Sequence, residues 1–437
     1  MLNKALLRNI FFSILILVTL FGRSFTGLYI LEFRVGEIII GLCIILSLIF
    51  LITPRKFLLK NFEYERLLVF YKLIIISVPV LFILNRPIYT NLYIFKASSY
   101  VWVIAFLFIG WFYFSKVNYE NNFFHIFYYC LPIIFILQTT YYPKSLSNFF
   151  SNFSDKFEYL KAGDVLIIYV ITLLIIQKIL INNSQYVSIF LNTTALFAPY
   201  FLYASKGAFL AAIFFTLLQF NSLKKYFFIF SIENLRKALL SVLIFFVSTF
   251  YIYGNFIFEK SIDDDTPLFT TIDVFEGLSA IIDQRNTTET FASLYIENAR
   301  LYSQDATANW RLQIWQDVLV DLSSSNKIFF GYGYNEIIPA MDDKERRGSD
   351  GTNENVHNYF INILARGGIF QLSLFIIFHV LIIRLYYKKY HSLSILKFVI
   401  PIFIVALFDT SMESVRFPLL YYSFLGYFLN EDSIYLQ

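Results

Sequence analysis

The chain has 437 residues and a net charge of +4, and it is 58% hydrophobic and only 15% charged. A soluble domain of this size needs far more polar surface, so the composition excludes a soluble globular protein. The small net charge gives no sign of a nucleic-acid partner. The two cysteines, Cys43 and Cys130, both lie in apolar runs, so we expect neither a disulfide framework nor a cysteine-based metal site.

Apolar runs recur along the whole sequence, which predicts an all-α polytopic integral membrane protein. The first run, from Leu6 to Phe21, lacks a small-residue cleavage site and is predicted to be a retained helix. The runs at 207–220 and 395–409 are short for a span of ~20 residues, so we expect them to be longer or tilted. Twelve membrane helices are predicted, at about 5–22, 36–52, 67–84, 97–115, 123–142, 164–181, 187–203, 207–220, 236–258, 369–386, 395–409 and 414–430.

The basic residues predict the orientation of these helices. With a cytoplasmic N-terminus, the three densest basic clusters, at 55–66, 224–237 and 384–397, all lie inside. Cytoplasmic loops carry the excess of Lys and Arg, so both termini are predicted to be cytoplasmic. Three regions follow: nine transmembrane helices in 1–258, a large outer loop in 259–368, and three more helices in 369–437.

The outer loop contains more Asp and Glu than Lys and Arg, and loops this long usually have a function or are disordered. Its first part, 259–300, is predicted to be partly disordered or a short helical cap. The run Asp263 to Asp265 could bind a divalent cation, but a solvated acidic turn is the favoured interpretation.

An amphipathic helix is predicted from Asn309 to Leu322, because its apolar residues recur at helical spacing. One turn before this stripe lies Arg311, at the N-terminal end of the helix, where the dipole attracts anions. Two interpretations remain open. Arg311 pairs with a carboxylate such as Asp305, or its forked donors bind a phosphate. The predicted stripe contains Ile314, Trp315, Val318, Leu319 and Leu322.

A second candidate region begins at His357. A polar stripe of Asn358, Asn362 and Arg366 follows it, and the pair Gly367-Gly368 is predicted to break the helix. His357 is either a general base near neutral pH or a hydrogen-bonded interfacial histidine. Ahead of it, the segment from Gly331 to Gly333 lacks the Lys-Ser/Thr of a phosphate loop and is predicted to be a turn.

Other charged residues lie near the predicted outer ends of helices. Lys206, in the short turn from Ala204 to Ala208, either extends to lipid headgroups or faces a cleft, and its spacing alone favours the headgroups. Five more could line a cleft, and none of them is singled out: Glu37, Asp164, Asp409, Glu413 and Arg416.

Taken together, these motifs resemble the O-antigen ligase and polymerase superfamily over about residues 165–385. The matching pieces are Ser205-Lys206-Gly207-Ala208, Arg311 to Trp315, Gly331 to Gly333, and His357-Asn358-Tyr359 followed by Gly367-Gly368-Ile369. Each piece is weak alone, and the resemblance lies in their order, their spacing and their predicted location outside the membrane.

The resemblance implies a membrane-embedded glycosyltransferase of the GT-C type that inverts the anomeric carbon and needs no metal or other cofactor. Its donor would be a glycan on undecaprenyl pyrophosphate at the outer face of the bacterial inner membrane. Arg311 and Lys206 would then bind the pyrophosphate, and His357 would deprotonate an acceptor-sugar hydroxyl that Asn358 helps to orient. The family usually has Arg where this chain has Lys206, so Arg300 or Arg366 could share the pyrophosphate.

Three functions remain open at this stage. The first is a surface-polysaccharide (O-antigen) polymerase, and the second is an O-antigen ligase that transfers finished glycan to lipid A-core. The third, a flippase or transporter of lipid-linked sugars, is disfavoured because the chain has one dominant outer loop and no inverted repeat. The expected partners are the lipid-linked donor glycan, an acceptor glycan and the bilayer, with a chain-length regulator as a further candidate.

Overall fold

A computed structural model of the protein describes residues 4–53, 65–86, 93–114, 122–155, 157–180, 183–227, 232–261, 294–347 and 354–430. The prediction of an all-α polytopic membrane protein is confirmed. In the described ranges, helices dominate and the strands form only two short antiparallel hairpins. The acidic run from Asp263 to Asp265 and most of 259–300 lie outside the described residues.

The chain divides into two compact units. The first contains residues Met1–Leu28, Asn118–Thr288 and Lys397–Val405. The fifteen residues from Ala162 to Ile176 are all buried, and the helix that contains them packs against four other helices of this unit. The helices of this unit are α1 Lys4–Thr26, α7 Asn122–Thr139, α8 Lys144–Phe153, α9 Ala162–Ile179, α10 Asn183–Ala204, α11 Lys206–Phe227 and α12 Ile232–Ser261.

The second unit contains Tyr29–Val117, Glu289–Leu396 and Ala406–Gln437. Its hairpins are β1 Tyr29–Ile30 with β2 Phe33–Arg34, and β3 Leu294–Glu297 with β4 Arg300–Ser303. Its helices are α2 Val35–Ile52, α3 Glu65–Asn85, α4 Tyr93–Ala97, α5 Ser99–Trp102, α6 Ala105–Phe114, α13 Ala306–Ser324, α14 Tyr359–Tyr390 and α16 Arg416–Asn430. Helix α15, Leu396–Phe408, includes residues of both units.

Eight helices in the described part of the chain are long and apolar enough to cross a membrane. The predicted number of twelve therefore stays a prediction. Helix α11 extends well beyond the predicted 207–220, as its short apolar run suggested, whereas α15 has only 13 residues. The eight are Ala5–Thr26, Val35–Ile52, Glu65–Asn85, Ala162–Ile179, Ser184–Ala204, Lys206–Lys224, Leu235–Ile252 and Tyr359–Tyr390.

The span predicted at 97–115 is divided into the short helices α4, α5 and α6. At the first break, the Ser98 hydroxyl donates to the carbonyl of Ile94 (2.6 Å) and accepts from the Trp102 indole N–H (2.9 Å). A serine side chain that takes over backbone hydrogen bonds competes with the helix ladder. Hydropathy, which determined the prediction, does not detect this effect.

Helix α14 is kinked at the predicted glycine pair, because Gly368 has φ 64° and ψ −169°. A segment with two further glycines of positive φ, Gly331 and Gly333, runs alongside the kink. A side chain at Gly331 would lie 2.6 Å from the carbonyl of Ala365, and one at Gly368 would lie 2.2 Å from the backbone of Phe329. Only glycine allows both the backbone conformation and this close approach.

The outer segment has its own apolar core in the second unit, built on α13. Ile314, Val318 and Leu322 are fully buried, as the helical periodicity predicts. Leu319 was assigned to the same stripe, and that assignment is wrong, because its side chain is 45% exposed. The stripe packs against the 3-10 helix Pro339–Met341 and the start of α14, which keeps the two candidate regions together.

Candidate functional site

Arg311 lies on the inward face of α13, one turn before the buried Ile314 and the partly buried Trp315. The helix begins one residue after Asp305, whose carboxylate accepts from the backbone N–H of Ala308 (2.6 Å). Arg311 takes part in none of the ion pairs found among the described residues. Its Nε is buried and has no hydrogen-bond partner within those residues. The pairing of Arg311 with Asp305, one of the two interpretations of the sequence, is therefore absent.

The segment before α14 packs directly against this part of α13. The indole N–H of Trp315 donates to the carbonyl of Val356 (2.7 Å). The Trp310 ring lies against the imidazole of His357, with 4.9 Å between ring centroids and 64° between ring planes. Trp310 precedes Arg311, and Trp315 follows it by one turn on the same face. The turn of α13 that carries Arg311 is thus held against the segment that carries His357.

His357 has a left-handed backbone conformation, with φ 53°. Residues other than glycine adopt it rarely, and such strain persists only where the surroundings enforce it. Here the two tryptophans of α13 lie on one side and the capped start of α14 follows on the other. The imidazole therefore has a fixed position rather than one on a mobile loop.

The carboxylates that affect Arg311 most are those of Asp409 and Asp305. Burial lowers the pKa of Arg311 below its usual value, and these two negative charges oppose the change. Asp409 precedes the 3-10 helix Ser411–Glu413, and its carboxylate accepts from the backbone of Thr410 (2.6 Å) and the hydroxyl of Ser411 (2.9 Å). The turn thus fixes the carboxylate of Asp409, whose negative charge acts on the guanidinium of Arg311.

Glu413 ends the same turn and has a perturbed carboxyl group. Burial is the main cause and raises its pKa to about 8. The positive charges of Arg366 and Lys96 lower the pKa, whereas the negative charge of Asp409 raises it. Its Oε1 is buried and has no hydrogen-bond partner among the residues that the structure describes. Perturbed titrating groups beside an arginine are typical of functional sites, and structural ion networks also produce them.

Arg366 differs from Arg311 because both of its terminal nitrogens have protein acceptors, although its Nε, like that of Arg311, has no hydrogen-bond partner among the described residues. Its side chain is 3% exposed and donates to the carbonyls of Gly333 (3.3 Å) and Glu336 and to the hydroxyl of Tyr93 (2.9 Å). Its guanidinium also lies 5.3 Å from the centre of the Tyr93 ring. These contacts fasten the glycine segment and α4 to the start of α14.

Two further predicted site residues also have protein partners. The guanidinium of Arg300 pairs with the carboxylate of Asp317, which also binds Arg346 (2.7 Å). The side-chain oxygen of Asn358 caps α14, accepting from the backbone of Phe360 (3.0 Å) and Ile361 (3.1 Å). The structure thus gives Arg300 and Asn358 structural contacts, and their predicted roles toward a substrate stay predictions.

Lys206 is the first residue of α11 and belongs to the first unit, whereas the other predicted site residues belong to the second. The preceding Ser205 closes the turn, since its hydroxyl accepts from the backbone of Ala208 (3.3 Å). The very short turn between two helices is as predicted from the sequence. The role of Lys206 stays a prediction.

The second unit therefore brings together Arg311, His357, Asp409 and the tryptophans of α13. Sequence reasoning noted Asp409 and Glu413 as cleft candidates but did not connect them with Arg311, because they are about a hundred residues apart. It treated Trp315 as core and did not single out Trp310. Chemically, the arrangement offers a fixed cation with unused donors beside an imidazole, which suits a reaction that expels an anion.

Comparison with known proteins adds one match. Residues 187–376 match the model of a protein family described as O-antigen ligase. The matched range runs from α10 to α14 and includes Lys206, Arg300, Arg311, His357 and Arg366. A search of curated proteins found no match.

Proposed function

We propose that this chain, which belongs to the O-antigen ligase and polymerase superfamily, is a glycan-transferring enzyme of the bacterial inner membrane. Members of the family are glycosyltransferase-like enzymes. The proposed donor is a glycan on undecaprenyl pyrophosphate, and the acceptor is a sugar hydroxyl at the outer face. Both termini would then be cytoplasmic, in line with the distribution of Lys and Arg.

The observation that carries the proposal is the Arg311 guanidinium, which is partly buried and unpaired among the described residues. Burying a cation without a partner is costly, so such a group is retained where a ligand supplies the anion. The forked donors of arginine match phosphate oxygens. In the reaction, the bond between the anomeric carbon and the pyrophosphate oxygen breaks, and Arg311 stabilises the charge that the pyrophosphate gains.

His357 is the proposed general base. It takes the proton of the acceptor hydroxyl while the oxygen attacks the anomeric carbon from the face opposite the pyrophosphate, so that the configuration inverts. The proton then leaves the imidazole for water, and undecaprenyl pyrophosphate leaves as the second product. The ring contact with Trp310 supports this assignment, because it fixes the imidazole beside the turn of α13 that carries Arg311.

The remaining predicted residues have secondary roles in this proposal. Lys206 would add a second positive charge to the pyrophosphate, without the bidentate geometry of arginine. Arg366 would act by holding the site together, because both of its terminal nitrogens already bind protein acceptors. A pair of cationic side chains would replace the metal ion that many pyrophosphate enzymes use.

We propose a polymerase of O-antigen or a related surface polysaccharide, with ligation to lipid A-core as the second candidate, because the family match supports both activities equally. The test is a deletion strain in which surface-glycan length and lipid attachment are measured. Loss of polymer, with single repeat units still attached to core, would support the polymerase. Polymer that accumulates on undecaprenyl would instead identify a ligase, and normal surface glycan would contradict both.

A further inference from the structure

Next to the kink of α14, the outer segment has an apolar patch that no described residue covers. Phe329 is 62% exposed, Phe330 44%, Ile369 42% and Phe370 38%. Large apolar side chains that are exposed as a contiguous group mark an interaction surface. We name these four residues the kink patch.

The backbone joins the two halves of the kink patch. The N–H of Ile369 donates to the carbonyl of Ile328 (2.9 Å), and that of Phe370 donates to the carbonyl of Phe329 (3.1 Å). The rings of Phe330 and Phe370 lie 6.0 Å apart between centroids. The patch is therefore one rigid surface rather than two loose chains.

The kink patch continues the exposed apolar stripe of a membrane-spanning helix. Ile376, Ile377 and Val380 of α14 are also exposed, and they follow Ile369 and Phe370 at helical spacing on one face. This helix is one of the eight that are long and apolar enough to span. The stripe is thus the side of α14 that faces lipid, and Phe329 and Phe330 extend it past the kink.

The length of α14 shows why such an extension is useful. Beyond the kink, the uncharged stretch runs from Ile369 to Ile383 and ends at Arg384. At 1.5 Å per residue it covers about 22 Å, whereas the hydrocarbon core of a bilayer is about 30 Å thick. A helix that is too short leaves its outer end below the hydrocarbon boundary unless other apolar groups fill the gap.

We propose that Phe329 and Phe330 insert into the hydrocarbon of the bilayer leaflet next to the kink and anchor the outer segment to the membrane. The occupant of the kink patch is the acyl chains of bilayer lipids, because the patch is continuous with the lipid-facing side of α14. Lys327 fits the same geometry. Its side chain is exposed, and its Nζ lies 4.9 Å from the centre of the Tyr332 ring, a pair suited to the headgroup region.

The anchor would determine the height of the site above the membrane. The anchored segment leads directly to Tyr332 and Gly333, whose N–H groups bind the carbonyls of Ala365 (2.7 Å) and Arg366 (2.9 Å). Through these bonds, the kink patch is rigidly connected to the part of α14 that begins after His357. The anchor itself does not depend on the proposed catalytic activity.

The test is site-directed spin labelling of the full chain in vesicles of phosphatidylethanolamine and phosphatidylglycerol. A nitroxide at Phe329→Cys is compared with one at Asp342→Cys, whose side chain is 83% exposed in the same outer segment. The native Cys43 and Cys130 are buried, and the wild type serves as the labelling blank. We expect the label at 329 to collide severalfold more with oxygen, and severalfold less with a water-soluble nickel chelate, than the label at 342.

Equal nickel accessibility at the two positions would overturn the proposal. Spin–spin broadening at 329 that disappears on dilution with unlabelled protein would also overturn it, because a second copy of the chain would then cover the patch. Phe330→Cys provides an independent second position. Should Phe329→Cys fail to fold, the same oxygen preference at 330 supports the anchor, and nickel accessibility there overturns it.

Discussion

Two arginines of the second unit, Arg311 near the start of α13 and Arg366 near the kink of α14, have different surroundings. Arg366 is almost fully buried and donates to two backbone carbonyls and a tyrosine hydroxyl. Arg311 is partly buried and forms none of the ion pairs found among the described residues, and the Nε of each of the two arginines has no partner there. The family resemblance implied that Arg311 binds the pyrophosphate and that Arg366 could share it. Arg366 therefore supports the fold through its protein acceptors, whereas the donors of Arg311 are available to a ligand.

The difference has an energetic meaning. A buried arginine whose terminal nitrogens donate to protein acceptors stabilises the fold, and its removal leaves those acceptors without partners. A guanidinium without protein partners contributes little to the fold and gains its interactions when an anion binds. Substitution of Arg311 should therefore reduce mainly the activity, whereas substitution of Arg366 should reduce mainly the stability.

Arg311→Ala should cause the largest loss of activity. Removing a donor that stabilises the leaving anion typically costs about 10²–10³ in rate. The yield of folded protein should stay normal. Arg311→Lys should also be strongly impaired, because lysine lacks the bidentate fork. Transfer is measured with purified protein and a lipid-linked donor. Arg300→Ala is the matched control, and activity near wild type in Arg311→Ala would reverse the assignment.

Arg366→Ala should act mainly on stability. Loss of the buried cation leaves the carbonyls of Gly333 and Glu336 without their donor, which should destabilise the protein by about 1–3 kcal/mol for each carbonyl. Thermal unfolding in detergent, followed by circular dichroism, measures this effect. A variant that unfolds like the wild type but lacks transfer would show that Arg366 acts on the substrate instead.

The kink should be sensitive to a single methyl group. Gly368→Ala places a side chain at φ 64°, within 2.2 Å of the backbone of Phe329, and should cost more than about 1 kcal/mol of stability. Gly41→Ala in α2 is the control, because a side chain there has nothing within 4 Å. Alanine is the better helix former, so the control should be neutral or slightly stabilising. Equal melting temperatures for the two variants would contradict the tight kink.

A further expected effect is a pH dependence of stability caused by Glu413. Burial raises the pKa of its carboxyl to about 8 from an ordinary value of 4.5. Between these values the folded chain holds a proton that the unfolded chain has lost, so stability should fall as pH rises from about 4.5 to 8. Glu413→Gln should flatten this decline. Melting temperatures at pH 5, 6.5 and 8 measure it, and an unchanged slope would assign the decline to other groups.

The sequence predicted the features that depend on periodicity and on glycine. The buried positions Ile314, Val318 and Leu322 of α13, the break at Gly368 and the turn at Gly331 all follow from local rules and are confirmed, whereas Leu319 of the same predicted stripe is exposed. It did not predict the division of the 97–115 span, because hydropathy does not detect that Ser98 competes with the helix ladder. Nor could it show that both terminal nitrogens of Arg366 bind protein acceptors, since these acceptors lie about thirty residues upstream or, for Tyr93, on another helix.

The residues around Arg311 show a second limit of sequence reasoning. Periodicity placed the guanidinium on the inward face, but the same pattern suits an ion pair with Asp305. Only the packing shows that the Asp305 carboxylate caps α13 and that Asp409 approaches from a distant turn. Charge partners that are brought together by tertiary structure leave no local signal.

The most direct test of the central claim is the equilibrium binding of undecaprenyl pyrophosphate to purified wild type, Arg311→Ala and His357→Ala. Charge-assisted hydrogen bonds contribute about 1.5–3 kcal/mol each, so Arg311→Ala should weaken binding by about 10- to 100-fold. His357→Ala should bind like the wild type, because a general base contacts the acceptor rather than the pyrophosphate. Wild-type affinity in Arg311→Ala would contradict the account.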